Sequence, residues 1–292
     1  MHDKSQRVPA RPGRRSLLMA AALGLAAFSV QAQTSPSGTP STAPSSPPSG
    51  SRQPQPAMAR DARVSQLIGK EVRNPQGEKF GEINDLIIDV NNEVIHYAIL
   101  SFGGVMGLGD KLFAYPLSVF RHALDRDELV LDVDKERLRR APGFERNRWP
   151  DWSTPEYGAA VERHFGQSAR ITPRPNAHLL RASQLLGKNV DDNNGKNAGE
   201  IADIVVSMSS GRVRYVVLDF DRSWNMKDRL IPLPPRALRF PADRKANLVL
   251  LLPREQLDIK QGFEKRQWPD VNDPTYRRQL DGTLERLAGS LH

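Results

Sequence analysis

The chain has 292 residues, of which 42 are Lys or Arg, 34 are Asp or Glu and none is Cys. The lack of cysteine excludes disulfides, thiolate metal sites, cysteine nucleophiles and a lipid anchor on a cysteine. The formal charge is +8, but residues 1–32 contribute +4 of it, with five basic residues and one acidic residue. The charge that remains is mild and interleaved with acids, so it does not predict nucleic-acid binding.

Residues 1–32 have the pattern of a secretory signal peptide. Five basic residues precede an apolar stretch from Leu17 to Val30, and Val30-Gln31-Ala32 follows as a cleavage motif. The apolar stretch is short for a membrane-spanning helix, which needs ~20 residues. We therefore expect cleavage between Ala32 and Gln33 and export to the periplasm, with an uncleaved inner-membrane anchor as the alternative. The pair Arg14-Arg15 resembles a twin-arginine export signal, and both export routes stay open.

Residues 33–60 consist almost entirely of Ser, Thr, Pro, Gly and Gln. Such a segment has too little apolar surface to offset the entropy lost on ordering, so it is predicted to be disordered. Its proline content favours a semi-extended chain that serves as a tether.

Two long segments of the chain repeat each other. Residues 63–102 align with residues 181–220 without a gap, and fifteen of the forty paired positions are identical. After one inserted residue the tail GFERNRWPDW at 143–152 is repeated as GFEKRQWPDV at 262–271. So long a period indicates duplicated domains rather than a solenoid.

Within each copy, apolar runs separated by short polar turns predict β-hairpins. The first copy has runs at 82–90 and 94–102, and the second has runs at 204–208 and 213–220. Several short strands within about 75 residues predict a small closed barrel in each copy. Further expected elements are strands at 111–115, 128–133, 229–233 and 248–252, helical turns at 116–122 and 234–238, and helices starting at proline at 155–165 and 274–287.

The repeated pattern S-x-L-[IL]-G-K-x-V, followed by G-E-I-x-D and Y-x-[IV]-L-x-F, resembles the PRC-barrel family. That family is named after the cytoplasmic domain of the photosynthetic reaction-centre H subunit and includes the C-terminal domain of a ribosome maturation factor. The resemblance covers about residues 62–142 and 180–260. It implies a mainly β protein with two tandem small barrels used for protein contacts and assembly, with no active site typical of the family. Because family members serve unrelated processes, the resemblance does not supply the function.

These patterns divide the chain into six parts. The boundaries are residues 1–32 for the signal peptide, 33–60 for the linker, 61–145 for the first barrel, 146–178 for a Trp-Pro-Asp segment with a helix and an inter-domain linker, 179–264 for the second barrel, and 265–292 for a second Trp-Pro-Asp segment with the C-terminal helix.

The motifs that could carry chemistry do not fit their templates. The glycine-rich loop at 103–111 lacks the residue order of a dinucleotide or phosphate loop. A calcium loop starting at Asp191 would place Lys196 at the required glycine and Ala202 at the required glutamate. The histidines show no paired ligand spacing, and no serine-hydrolase or zinc-protease motif is present. We therefore predict no catalytic, metal-binding or cofactor-binding residues, no cofactor and no enzymatic activity.

Two acids recur at the start of the main strand in both copies, Glu82 with Asp85 and Glu200 with Asp203. Paired acids can perform acid–base chemistry. Here we interpret them as groups that set hydrogen bonds and turn geometry.

Aromatic residues and one divergent loop are the candidates for partner binding. Trp and Tyr are favoured anchors at interfaces, although the same rings could instead pack against the barrel ends. The loop at 103–110 differs most from its counterpart at 221–228, and loops on rigid scaffolds carry function. The candidate residues are Trp149, Trp268, Tyr157, Tyr276, Gly104, Gly107, Asp110 and Trp224.

The sequence thus predicts an exported, non-enzymatic protein-interaction or scaffold module with an unidentified protein partner in the cell envelope. Nucleic acid is not expected as a partner, and the membrane is contacted only through the signal peptide. The two barrels are expected to be able to pack on each other. Two alternatives remain, a ligand-binding protein or enzyme with a site between the barrels, and an envelope stress protein associated with the membrane surface.

Overall fold

The computed structural model describes residues 60–102, 111–123, 128–133, 137, 140–152, 154–166, 176–221, 223 and 228–291. The predicted signal peptide with Ala32 and Gln33, and the linker up to residue 59, lie outside the described residues. In the described part of the chain, no helix is both long enough and apolar enough to cross a membrane.

The first copy forms a curled sheet of short strands around two long ones. Its strands are β1 (Asp61–Arg63), β2 (Glu71–Arg73), β3 (Lys79–Asp89), β4 (Val94–Ser101), β5 (Lys111–Pro116), β6 (Phe120–Ala123), β7 (Glu128–Leu131) and β8 (Gly143–Glu145). Its helices are α1 (Val64–Leu67) and α2 (Pro155–Phe165), with a 3-10 turn at Leu117–Val119.

The second copy repeats this order. Its strands are β9 (Leu179–Arg181), β10 (Asn189–Asp191), β11 (Asn197–Ser207), β12 (Val213–Phe220), β13 (Arg229–Leu233), β14 (Leu238–Arg239), β15 (Leu248–Leu250) and β16 (Phe263–Glu264). Its helices are α3 (Ala182–Leu185) and α4 (Pro274–Gly289), with 3-10 turns at Pro235–Ala237, Arg254–Gln256 and Ile259–Gln261.

The strand order is the same in both sheets. In the first it runs β6-β7-β2-β3-β4-β5-β8, and in the second β14-β15-β10-β11-β12-β13-β16. The predicted hairpins are β3–β4 and β11–β12, and the tandem mainly β fold is confirmed. The Phe-Glu pair of each tail lies in a short strand, β8 or β16, which extends the sheet beside β5 or β13.

Each sheet is completed by a strand from the other copy. Strand β1 pairs antiparallel with the end of β11, with Asp61 opposite Ser207. Strand β9 pairs in the same way with the end of β3, with Leu179 opposite Asp89. The two registers are equivalent under the sequence alignment of the copies, so the exchange is reciprocal and has approximate two-fold symmetry.

The turns of the two long hairpins meet on the axis of this symmetry. Val94 forms an antiparallel bridge with Arg212, its own counterpart in the other copy. On either side, Ile95 N–H donates to the carbonyl of Gly211, and Val213 N–H donates to the carbonyl of Glu93, each at 2.8 Å. A largely continuous buried core runs through both sheets, including Ile88 from the first copy. The two copies therefore form one folded unit.

Candidate functional site: the junctions between the copies and the adjoining groove

The two repeated aspartates join the copies. The carboxylate of Asp203 is fully buried and accepts hydrogen bonds from the backbone N–H and the hydroxyl of Ser65. The carboxylate of Asp85 accepts the same two bonds from Ser183. Ser65 and Ser183 lie in the first turns of α1 and α3, where backbone N–H groups have no partner within the helix. Each aspartate thus caps a short helix of the other copy, and the interpretation of these acids as hydrogen-bonding groups agrees with this geometry.

An arginine and a tryptophan reinforce each junction. The guanidinium of Arg63 lies 3.7 Å from the ring centre of Trp268, and its Nε donates to Asp203 at 2.8 Å. The guanidinium of Arg181 lies 4.6 Å from the ring centre of Trp149. Such cation–π contacts contribute about 0.5–2 kcal/mol, depending on how well they exclude water. The tryptophan of each tail therefore holds the exchanged strand of the other copy.

The second junction, where β1 pairs with β11, carries an acid on the exchanged strand. Only 2% of the Asp61 side chain is exposed, and its Oδ2 lies 3.5 Å from Nε of Arg214 and 3.4 Å from Nε of Arg277. Burial raises the pKa of the Asp61 carboxyl above its ordinary value, and the two arginines only partly oppose this effect. The side-chain amide of Asn272 accepts from Asp61 N–H at 2.8 Å and donates to the Asp61 carbonyl at 3.0 Å. This amide covers the outer edge of β1 at that residue.

The first junction, where β9 pairs with β3, carries its acid on the sheet instead. Asp89 is fully buried, and its Oδ1 accepts from the backbone N–H of His178, which precedes the exchanged strand β9. The same carboxylate accepts hydrogen bonds from Asn91 and Asn92 in the β3–β4 turn. Its Oδ2 lies 3.5 Å from Nε2 of His96. Asp89 thus fixes both the hairpin turn and the exchanged strand.

A groove of about 660 Å³ opens beside the second junction. One wall comes from the first copy, from Arg60 through α1 to Lys70, and the other comes from the Trp268 tail of the second copy. The complete lining is Arg60, Asp61, Ala62, Arg63, Gln66, Leu67, Lys70, Met208, Trp268, Pro269, Asp270, Val271 and Asn272. Because both copies contribute, the groove exists only in the assembled unit.

The inner contact between the copies contrasts with this groove. It contains an apolar pocket of about 20 Å³, lined by residues such as Ile88, Leu185 and Val213. That volume is roughly the space of one water molecule. The surface directly between the two barrels is therefore packed with side chains, and open space lies at its margin.

The predicted aromatic residues lie in packed clusters with one edge partly exposed. Trp149 contacts Phe144, with ring centres 5.2 Å apart, and Trp268 contacts Phe263 at 4.8 Å. The hydroxyl of Tyr157 donates to the carbonyl of Pro142 at 2.8 Å. Burial raises the pKa of Tyr276 to about 12. Of the four predicted aromatic residues in the described chain, Trp268 also lines the groove.

The other predicted partner-binding residues, Gly104, Gly107, Asp110 and Trp224, lie outside the described residues. The sequence analysis missed Arg63 and Arg181, Ser65 and Ser183, and Asp61 and Asp89. The first two pairs are identical between the copies, so the repeat itself contained that signal. No such signal was available for Asp61 and Asp89, because their counterparts are Leu179 and Ser207.

The strand order and the repeated junctions define a protein built from two tandem, interlocked small barrels. The model of the PRC-barrel domain family matches residues 60–138 and 178–247, which together make up more than half of the chain. The chain therefore belongs to the PRC-barrel family and carries the domain twice. No curated protein matches it. Among the described residues, no group of three or more His, Asp or Glu side chains is arranged to hold a metal ion.

Proposed function

We propose that this protein is an exported, non-enzymatic binding module of the cell envelope, and that the groove between the Arg60–Lys70 segment and the Trp268 tail receives its partner. The observation that carries the proposal is that this groove is built jointly by the two copies and lies against the exchanged strand β1. A partner bound there contacts the two barrels at once.

The chemistry of the groove fits an acidic segment of a protein partner. Arg60, Arg63 and Lys70 line it, together with two acids, Asp61 and Asp270. The Asp61 carboxylate is paired with Arg214 and Arg277. Arg63 is likewise paired with Asp203, so Arg60 and Lys70 stand against Asp270 and basic side chains are in excess along the lining. The Trp268 ring adds an apolar surface of the kind that anchors protein contacts.

A binding role also fits the state of the acids in the groove. Asp61 is held by two arginines, and Asp270 Oδ1 accepts the backbone N–H of Asn272 at 2.9 Å. One oxygen of each carboxylate therefore has a structural partner. The volume of about 660 Å³ also falls within the range of small-molecule sites, which is why the experiment must separate a protein partner from a small anionic ligand.

Site-specific photo-crosslinking in the cell envelope tests this proposal. A photoreactive amino acid replaces the exposed Gln66 in the groove, and the matched control replaces the exposed Gln184, its counterpart in the second copy. We expect one discrete crosslinked protein band with the Gln66 variant, absent with the Gln184 variant and lost when Lys70→Glu is added. Equal crosslinking at both positions, or none at Gln66, would refute a protein-binding groove.

Export is tested separately. Cell fractionation of the full chain with a C-terminal tag should place it in the periplasm, and N-terminal sequencing should begin at Gln33. An uncleaved chain in the membrane fraction would overturn the export proposal without affecting the groove.

A further inference from the structure

Each junction between the copies contains one aspartate, and the sequence repeat alone does not require this arrangement. At each one, the first residue of the exchanged strand stands opposite the last residue of the long strand, and one member of that pair is an aspartate. The pairs are Asp61 with Ser207 and Leu179 with Asp89. The acid is on the exchanged strand at one junction and on the sheet at the other.

The nitrogen group beside the aspartate, in contrast, comes from the same sheet position at both junctions. Arg214 and His96 are counterparts in the two copies, and each places a ring or guanidinium nitrogen 3.5 Å from the local aspartate. The second junction adds Arg277 from α4, where the first copy has Gly158. Both junctions thus place one aspartate beside a nitrogen-bearing side chain from the same sheet position.

Pairing of like copies would break this arrangement. If the first copies of two chains exchanged strands, Asp61 would stand opposite Asp89, and residues directly opposite in an antiparallel pair have Cβ atoms only about 4.5–5.5 Å apart. Both carboxylates are almost fully buried in the observed junctions, where repulsion between like charges is strong. If two second copies paired, Leu179 would stand opposite Ser207, and Arg214 and Arg277 would lose the aspartate they share.

We infer that the alternating aspartate decides which copy pairs with which. The end of β3 accepts an exchanged strand with an apolar first residue, as β9 has, and the end of β11 accepts one with an acidic first residue, as β1 has. The end of each long strand therefore selects the exchanged strand of the other copy. The interface is symmetric in its backbone and asymmetric in its charge, so pairing of a copy with its own kind is disfavoured during assembly. This inference does not depend on the groove or on export.

A stability experiment on the mature chain tests whether each junction tolerates only one aspartate. Leu179→Asp puts a second carboxylate opposite Asp89, while Leu179→Asn has the same shape without the charge. We expect Leu179→Asp to lower the melting temperature by at least about 5 °C more than Leu179→Asn at pH 7. Asp89→Ser should be destabilising in the natural chain, because it removes turn hydrogen bonds, and stabilising when added to Leu179→Asp.

The sign of the stability change that Asp89→Ser causes in the Leu179→Asp background decides whether the inference holds. If Asp89→Ser destabilises both backgrounds, or if the Asp and Asn variants at position 179 melt together, the inference is wrong. A Leu179→Asp chain that fails to fold still gives an answer, because restoring one acid with Asp89→Ser must then restore folding.

Pairing of like copies can also be observed directly, because the chain has no cysteine. Val94 faces Arg212 in the observed pairing, so the thiol introduced by Val94→Cys meets the same thiol of another chain only when two first copies pair. We compare this substitution in the natural background and in Asp61→Leu/Ser207→Asp, which keeps one acid at each junction but removes the clash between like copies. After refolding at high concentration, disulfide-linked dimers should be several-fold more abundant in the second background. Equal dimer fractions would overturn the inference.

Discussion

Replacing Asp203 with Asn is the most direct test of the contacts that join the copies. The carboxylate accepts hydrogen bonds from Arg63 Nε, from Ser65 N–H and hydroxyl, and from Ile204 N–H. An asparagine oxygen can keep the two backbone bonds, but its NH₂ group cannot accept from Arg63. The change removes a charge-assisted bond from a fully buried position, which costs about 2–4 kcal/mol.

The counterpart change, Asp85→Asn, provides the matched comparison. Asp85 binds Ser183 and the backbone N–H of Leu86 in the same geometry. Because the contacts of Asp85 in the structure include no bond from Arg181 Nε, its replacement should cost about 1–2 kcal/mol. Glu200→Gln, at an exposed position on the same strand as Asp203, serves as the control and should change stability by less than about 0.5 kcal/mol.

Differential scanning calorimetry of the mature chain is the assay. In a domain of this size 1 kcal/mol corresponds to about 2–4 °C, so Asp203→Asn should lower the melting temperature by about 4–16 °C. Since each sheet needs a strand from the other copy, the main transition should remain single and move as a whole. Equal shifts for Asp203→Asn and Asp85→Asn, or two transitions of which only one moves, would refute this account of the junctions.

Three further predictions concern other parts of the structure. Trp268→Ala and Trp149→Ala should each lower the melting temperature, because both rings pack against a phenylalanine and an arginine. Only Trp268→Ala should also abolish the groove crosslink, since of the two rings only that one lines the groove. Unchanged melting temperatures in both variants would disprove the packing role. Gly199→Ala should lower the free energy of unfolding in urea by more than about 2 kcal/mol, because a Cβ there would lie 2.1 Å from the Asp219 carbonyl oxygen. Gly211→Ala is the control and should cost about 1 kcal/mol. Equal costs for the two variants would contradict the close approach at Gly199. All five tyrosines have pKa values raised by burial, so absorbance titration of the folded chain should show little phenolate formation near pH 10. The free energy of unfolding should fall as pH rises above 10, since only the unfolded state then loses the tyrosine protons. A normal tyrosine titration of the folded chain would contradict this burial.

Much of the fold could be predicted because hydrophobic periodicity and turn residues are local signals. The hairpin predicted at 82–90 and 94–102 is observed as Lys79–Asp89 and Val94–Ser101. The helix predicted at 155–165 is observed with the same bounds. The turn predicted at 116–122 is shorter, since the 3-10 helix ends at Val119 and strand β6 begins at Phe120.

The reciprocal exchange could not be derived in this way. Strands β1 and β9 have only three residues each, too few to show an alternating pattern. Their partners lie far away in sequence, and pairing over such distances is fixed by the tertiary structure. The sequence analysis allowed for a site between the barrels as an alternative, but the lining of this groove could not be predicted for the same reason, because it joins the 60–70 segment to the 268–272 segment. The repeated Arg-x-Ser at the start of each copy was the one local feature that pointed to the junctions.

The antiparallel bridge on the symmetry axis also sets the directions in which the two long hairpins run. Because Val94 and Arg212 run in opposite directions at the bridge, β4 and β12 lead away from each other. Each strand has eight residues, and at about 3.3 Å per residue their far ends are separated by up to roughly 50 Å. In sequence, the segments in which the two copies differ most, residues 103–110 and 221–228, follow soon after these ends at Ser101 and Phe220. The bridge that joins the two copies therefore also directs the strand ends that precede their two most divergent segments away from each other.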